Sequence, residues 1–171
     1  GHFRTLNGLR LGMTQKEAAT FLKNRGIDAL TEHESEVAKR IADVEKDIKG
    51  ASADERRSLR ELMREIRLEK PMPGMTDSLA ATLPGPPRTD LVLAFQDEKL
   101  FSIKITSESP APEHIGPIVE SILLAYPEIK FQRIPDLDDH NMGLASARIS
   151  TISLSLDTTT KMVRIELSAP R

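Results

Sequence analysis

Apolar residues recur along this chain at two spacings, and each spacing marks a different kind of element. At every second position lie Leu91, Leu93 and Phe95, then Phe101, Ile103 and Ile105, with Gln96-Asp97-Glu98-Lys99 between the two runs. Such alternation predicts two half-buried strands joined as a hairpin. Ile152, Leu154 and Leu156 within 146–156, and Val163, Ile165 and Leu167 within 161–168, repeat the pattern across an Asp157–Thr160 turn. Leu9 and Leu11 flank Arg10 and predict a short first strand within Phe3–Leu11. Elsewhere the spacing is helical. Ala18, Ala19, Phe21 and Leu22 form a stripe over Gln15–Asn24, and Val37, Ile41, Val44 and Ile48 run four, three, four over 34–49. Leu59, Leu62, Met63 and Ile66 mark a third helix, and Ile115, Ile118, Val119, Ile122, Leu123 and Tyr126 a fourth.

Turn and cap residues set the limits of these elements. Thr14 is placed to cap the first helix, with Glu17 completing a capping box and Met13 placed to staple onto Ala18. Gly26 is the expected C′ stop. Gly50-Ala51 breaks the second helix, and Ser52 with Glu55 makes another capping box for the third. So short a connection predicts that the two fold back as an antiparallel hairpin. Pro71-Met72-Pro73-Gly74-Met75 then stops helix formation. Residues 71–89, with Pro-Gly-Pro-Pro at 84–87, are expected to be a long loop, with at most one helical turn over Asp77–Leu83. Residues 131–143 read as a polar connection. The expected order is β, α, helical hairpin, β, β, α, β, β. The expected fold class is α+β: an antiparallel β-sheet with helices packed on one face, plus an inserted antiparallel helical hairpin. In domain terms, 3–33 and 71–171 make a single α+β domain, and 34–70 an inserted arm.

Composition sharpens the picture of the arm. Charged residues make up 29% of the chain and hydrophobic ones 39%. Much of the charge lies in 34–70, where acidic and basic side chains balance. Glu36 with Arg40, Glu45 with Lys49, and Arg57 with Glu61 stand four apart, a spacing that supports helices. Arg56, Arg60, Arg64 and Arg67 line one side of the third helix, but Glu61, Glu65 and Glu69 run beside them without interleaved aromatics. With a net charge of −2, no nucleic-acid partner is expected. There is no cysteine, which removes disulfides, thiolate metal sites and cysteine nucleophiles. The chain opens Gly1-His2-Phe3, and Gly-His resembles a tag remnant. The expectation that follows is a native leader, such as a signal sequence, ahead of Phe3.

Leu11-Gly12-Met13-Thr14-x-x-Glu17-Ala18, followed by Leu22, resembles the "GMT-x-x-E/Q-V" start of small bacterial envelope proteins. Among these are the small lipoprotein of the outer-membrane barrel assembly machinery and its relatives, whose fold is shared with β-lactamase inhibitor protein repeats. The run Leu93-x-Phe95-x-Asp97-x-Lys99-Leu100 is similar to their strand-turn-strand unit. The likeness covers residues 8–26 and 90–106, separated here by the helical insertion. It implies a non-enzymatic protein of the periplasm, secreted or anchored to the outer membrane, touching membrane only through an N-terminal anchor. It does not carry a functional site with it.

Candidate chemistry is sparse. His33, His114 and His140 stand outside any metal-ligand spacing and read as surface or capping histidines. Asp136, Asp138 and His140 begin the alternation of a Ca²⁺ loop, but no glutamate follows at the required distance. The Ser/Thr-rich run from Ser146 to Thr160 lacks a G-x-S-x-G elbow and fits hydroxyls on the outer face of a strand. Gly8 and Gly12 lack the spacing and following Lys of a phosphate loop. No catalytic residue, cofactor or metal is therefore expected. The leading expectation is a protein-interaction module that binds a protein partner through its sheet face or arm. Its partner-binding residues would be Val37, Ile41, Val44, Leu59, Leu62, Met63 and Ile66, which could instead bury one another or form a homodimer seam. Met63, Met72 and Met75 would add adaptable contact surface. An enzyme inhibitor or small-ligand-binding protein, and a hydrolase with a triad assembled from distant residues, remain the other readings.

Overall fold

A computed structural model of the chain describes residues 6–83, 88–108, 120, 123–134, 141–157 and 162–170. Three helices and eight strands occur among them: α1 Gln15–Lys23, β1 Leu30–Thr31, α2 Glu32–Lys49, α3 Ala53–Leu68, β2 Ser78–Leu83, β3 Thr89–Gln96, β4 Lys99–Glu108, β5 Gln132–Arg133, β6 Asn141–Ala145, β7 Thr151–Asp157 and β8 Met162–Ser168. The protein is an α+β fold with an antiparallel sheet. The chain divides into two compact units, a body (Gly1–Ala29 with Leu79–Arg171) and an arm (Leu30–Ser78).

In the body the strands follow the order β2-β3-β4-β8-β7-β6-β5. After β4 the chain crosses to the far edge, then returns strand by strand until β8 pairs with β4. Register places Leu93, Ile103, Leu167 and Ile152 in one row across four strands, and Leu91, Ile105 and Ile165 in the next. All seven side chains are buried. The row beyond carries Thr89 and Ser107, whose hydroxyls pair at 3.2 Å inside the core. Onto this face pack Ala18 and Leu22 of α1, along with Leu123 and Tyr126. Each fully buried Leu or Ile contributes about 1.5–3 kcal/mol, so these rows supply a large share of the body's stability.

The described part of the expected first strand, residues 6–11, forms turns rather than a strand. Leu6 and Leu9 are buried, and the Leu9 N–H donates to the Leu6 carbonyl at 3.0 Å within a turn. The chain reverses at Gly8, whose φ is +104°, before an extended residue can pair. Among the described residues the corner reaches the sheet through Gly12 N–H to Leu100 O at 2.8 Å and Leu100 N–H to Met13 O at 2.7 Å, beside an isolated bridge of Thr14 to Lys99. The expected capping box is present, with Thr14 Oγ1 accepting from Glu17 N–H and Glu17 Oε1 from Thr14 N–H. At the other end Gly26, at φ +73°, donates to Lys23 O, and Ile27 donates to Leu22 O. This bond pair is the one that a left-handed glycine makes at a helix stop.

The arm is an antiparallel pair, α2 and α3, joined by Gly50-Ala51-Ser52. Val44, Met63 and Ile66 are buried in its seam, with Val37, Ile41, Ile48 and Leu59 packed around them. Ser52 and Glu55 form their capping box. A second box starts α2 two residues before its expected first residue, with Thr31 as cap and Glu34 at N3. The T-x-x-E spelling Thr31-Glu32-His33-Glu34 carries that signal. At the open end Arg40 and Glu69 form a two-pronged ion pair. Arg40 sits above and Glu69 below its usual ionisation range, chiefly because of their mutual hydrogen bonds.

Three further expectations differ from the structure. The 71–89 loop contains β2, because Leu79, Ala81 and Leu83 alternate and all three are buried. That alternation outweighs the helical turn expected there. The polar connection at 131–143 contains β5 and the start of β6. The strand expected over 146–156 begins at Thr151, because Ser146–Ile149 is a turn closed by Ser146 N–H to Ile149 O at 2.9 Å. Of the fourth helix, Ile115, Ile118, Val119 and Ile122 lie outside the described residues, as do the Gly1-His2-Phe3 start and the Pro-Gly-Pro-Pro run.

The β3–β4 turn is two residues long, Asp97 and Glu98, at φ +52° and +65°. That is the geometry a tight hairpin prefers, carried without glycine. Phe101 is an extra residue opposite β3, since Phe95 pairs with Leu100 and Ala94 with Ser102. This bulge breaks the pleat's alternation, so Ser102 and Ile103 are both buried; among the described residues Ser102 Oγ has no hydrogen-bond partner.

Two substitutions test these readings by urea unfolding. Gly8→Ala adds a Cβ 3.2 Å from Phe21 Cε2 at φ +104°. It should cost about 1–3 kcal/mol, and an unchanged midpoint would contradict the corner's geometry. Glu98→Gly should raise stability by about 0.5–1 kcal/mol by relieving the left-handed turn position, and a loss would contradict it.

Candidate functional site

Three distant segments of the body meet beside the N-terminal corner. Leu11 N–H donates to Tyr126 Oη at 3.0 Å, which ties the corner to the residue ending the helical turn at 123. Arg10 is thereby held over the Tyr126 ring, its guanidinium carbon 4.9 Å from the centroid. That separation suits a cation–π contact. Glu128, two residues past Tyr126, accepts hydrogen bonds from Arg10 Nη2 and from Arg148 Nη1, the latter at 3.0 Å. Arg148 lies on a locked turn. Ser146 Oγ accepts from the N–H groups of Arg148 and Ile149 at 3.2 and 3.1 Å, and Ile149 is fully buried.

Arg10, Leu11, Tyr126, Ile129, Arg148 and Ile149 line a cleft of about 400 Å³. That volume falls within the range of small-molecule sites. The lining carries two guanidiniums, and the carboxylate that pairs with both, Glu128, stands beside the lining rather than in it. Glu128 is held below the usual carboxylate range, first by its own backbone N–H and then by Arg10 and Arg148. A carboxylate so depressed is a poor proton acceptor at neutral pH. Burial pushes the Tyr126 phenol up, while the Leu11 N–H and Arg10 pull the other way. The lining therefore offers cations, one hydroxyl and apolar walls, a set suited to holding an anion.

The residues expected to bind a partner are mostly occupied within the arm. Val44, Met63 and Ile66 are buried, Val37, Ile41 and Leu59 are half-buried against them, and only Leu62 is exposed, at 40%. The more open apolar side chains of that unit are Leu68 and Met72, at 76% and 70%. Arg57, Arg60, Glu61 and Arg64 line a shallow depression on α3, and those arginines make none of the four ion pairs among the described residues. The sheet's other face is polar. Its rows read Val92, Lys104, Glu166, Ser153 and Asp90, Thr106, Arg164, Ser155. The hydroxyls expected on the outer face of the Ser/Thr-rich strand are here, with Thr151, Ser153 and Ser155 alternating with buried Ile152. His33 is half-buried at the start of α2. His114 and the Asp136, Asp138 and His140 cluster lie outside the described residues, among which no grouping could hold a metal ion. No helix among them is long and apolar enough to cross a membrane.

Sequence reasoning did not find the cleft, whose ion-pair cluster joins positions 118 residues apart. Two signals pointed toward it: an arginine between two apolar residues at 9–11, and the chain's single tyrosine at the end of an apolar stripe. No family model, no curated protein and no solved structure matches the chain. Its class rests on the fold: an α+β protein with an antiparallel sheet, α1 packed on one sheet face, and a helical hairpin as a second unit.

Ultraviolet titration of the single tyrosine tests the packing of the cleft. Tyr126 should ionise above the ordinary phenol value of about 10. Because the raised folded value favours the neutral form, its contribution is present below the unfolded pKa and lost as pH rises through the folded one. A midpoint at or below 10 would contradict the burial.

Proposed function

We propose that the protein is a non-enzymatic interaction module of the bacterial envelope, binding a protein partner through its helical arm. The observation that carries this reading is that the arm closes an apolar seam of its own and still leaves Leu62, Leu68 and Met72 facing outward. Leu62 and Leu68 stand on α3 and Met72 just past its end, and a partner would cover these exposed apolar side chains. The polar rows of the sheet favour the arm over the sheet face as the contact. For the compartment, the support is the resemblance of Leu11–Ala18 to envelope proteins. The protein would act in the periplasm, or secreted or held at the outer membrane, and would need no cofactor.

Photo-crosslinking tests the reading in cells. A photoreactive residue at Leu62, Leu68 or Met72 should yield a discrete adduct with a foreign protein in the envelope fraction, while the same residue at Ser153 should not. Adducts only with a second copy would replace the foreign partner by self-association. No adduct from any arm position would overturn the proposal.

A further inference from the structure

We propose that the cleft beside the N-terminal corner binds a small monocarboxylic acid with a short apolar body, and that Glu128 is its internal stand-in. This site lies in the body and stands independently of the arm's proposed role.

The argument begins with how Glu128 is held. Both arginines contact the same oxygen, Oε1, so neither guanidinium makes the two-pronged contact its planar fork allows. The arm's Arg40–Glu69 pair does make that contact, which shows the difference within one protein. Glu128 is also exposed at 40% and Arg148 at 67%. Ion pairs that open to water are weak, so an incoming anion displaces this one cheaply.

The walls specify the rest of the ligand. With Glu128 turned out but still nearby, two guanidiniums face one carboxylate, and the balance of one positive charge fits a monoanion better than a dianion. Leu11, Ile129 and Ile149 supply apolar wall on a cleft of about 400 Å³. That room suits a body of a few carbons. The Tyr126 hydroxyl already accepts from Leu11 N–H, so its own proton remains to donate to a carboxylate oxygen. Arg10 keeps its place over the Tyr126 ring without Glu128, and the Ser146 bonds fix the backbone from which Arg148 reaches the cleft. Displacing Glu128 therefore leaves one cation held by the ring and the other rooted beside the opening.

The protein's own chemistry supplies the readout. Tyr126 is the single tyrosine in a chain without tryptophan, so intrinsic fluorescence reports on this cleft alone. Hexanoate titrated to about 20 mM, a concentration suited to weak small-ligand affinity, should change the tyrosine emission saturably. Hexanamide, equal in shape and uncharged, should leave it unchanged, as should inorganic phosphate. Arg148→Gln should weaken hexanoate binding roughly tenfold through loss of a charge-assisted contact. Glu128→Gln should tighten it roughly threefold to tenfold by removing the internal competitor. Circular dichroism of each variant confirms folding, and Arg148→Lys, which keeps the charge, should fall between Arg148→Gln and the parent. No saturable response to hexanoate overturns the site. A phosphate response without a hexanoate response overturns the ligand class. Weaker or unchanged binding in a folded Glu128→Gln protein overturns the role of Glu128.

Discussion

The body depends on a backbone exchange around one residue. Leu100 accepts from Gly12 N–H and donates to Met13 O, and these bonds attach the capped corner to the start of β4. The residues on either side of that contact are committed by it. Toward the C-terminus, Thr14 caps α1 at once, so Ala18 and Leu22 come down on the apolar face of the sheet. Toward the N-terminus, Leu9 is buried, Leu11 offers its N–H to Tyr126, and Arg10 lies over the ring. A buried backbone group without a partner costs more than a made bond returns. That asymmetry keeps the corner in a single geometry.

The path of the chain after β4 explains why the cleft forms where it does. Because β8 pairs with β4, the connection from β4 must reach the far edge of the sheet before the return begins. The last part of that crossing, with Leu123 and Tyr126 packed inward and Leu124 outward, brings Glu128 beside the corner. The turn at Ser146–Ile149 then supplies Arg148 from the returning strands. Three segments that share no local pattern are thus brought together by strand order.

Body and arm use their charged residues differently. In the arm, the balanced charges lie on the outside of a helix pair whose apolar residues already satisfy one another, and the ion pair at its open end is two-pronged and paired one to one. In the cleft, two cations share one oxygen of one carboxylate. The first arrangement is complete as it stands. The second has capacity to spare, which is the physical difference between a structural ion pair and a candidate ligand site.

Elements whose signal is local were legible in the sequence. The capping boxes at Thr14 and Ser52, the stop at Gly26, the Val37–Ile48 seam and the alternation of the β3–β4 hairpin each involve residues within a few positions of one another, where periodicity and cap chemistry act. Two of the local departures also had local signals, the Thr31 cap and the Leu79-Ala81-Leu83 alternation, set beside louder proline and glycine punctuation. Non-local choices were not legible. Whether Leu9 and Leu11 form a strand depends on a partner edge, and among the described residues the corner meets β4 through Gly12, Met13 and Thr14. Whether Leu59, Met63 and Ile66 face a partner or their own neighbours depends on α2 being close enough to cover them, which it is. The meeting of Arg10, Tyr126, Glu128 and Arg148 depends on strand order, because side chains so far apart in the chain converge only after the sheet has chosen which strand lies beside which.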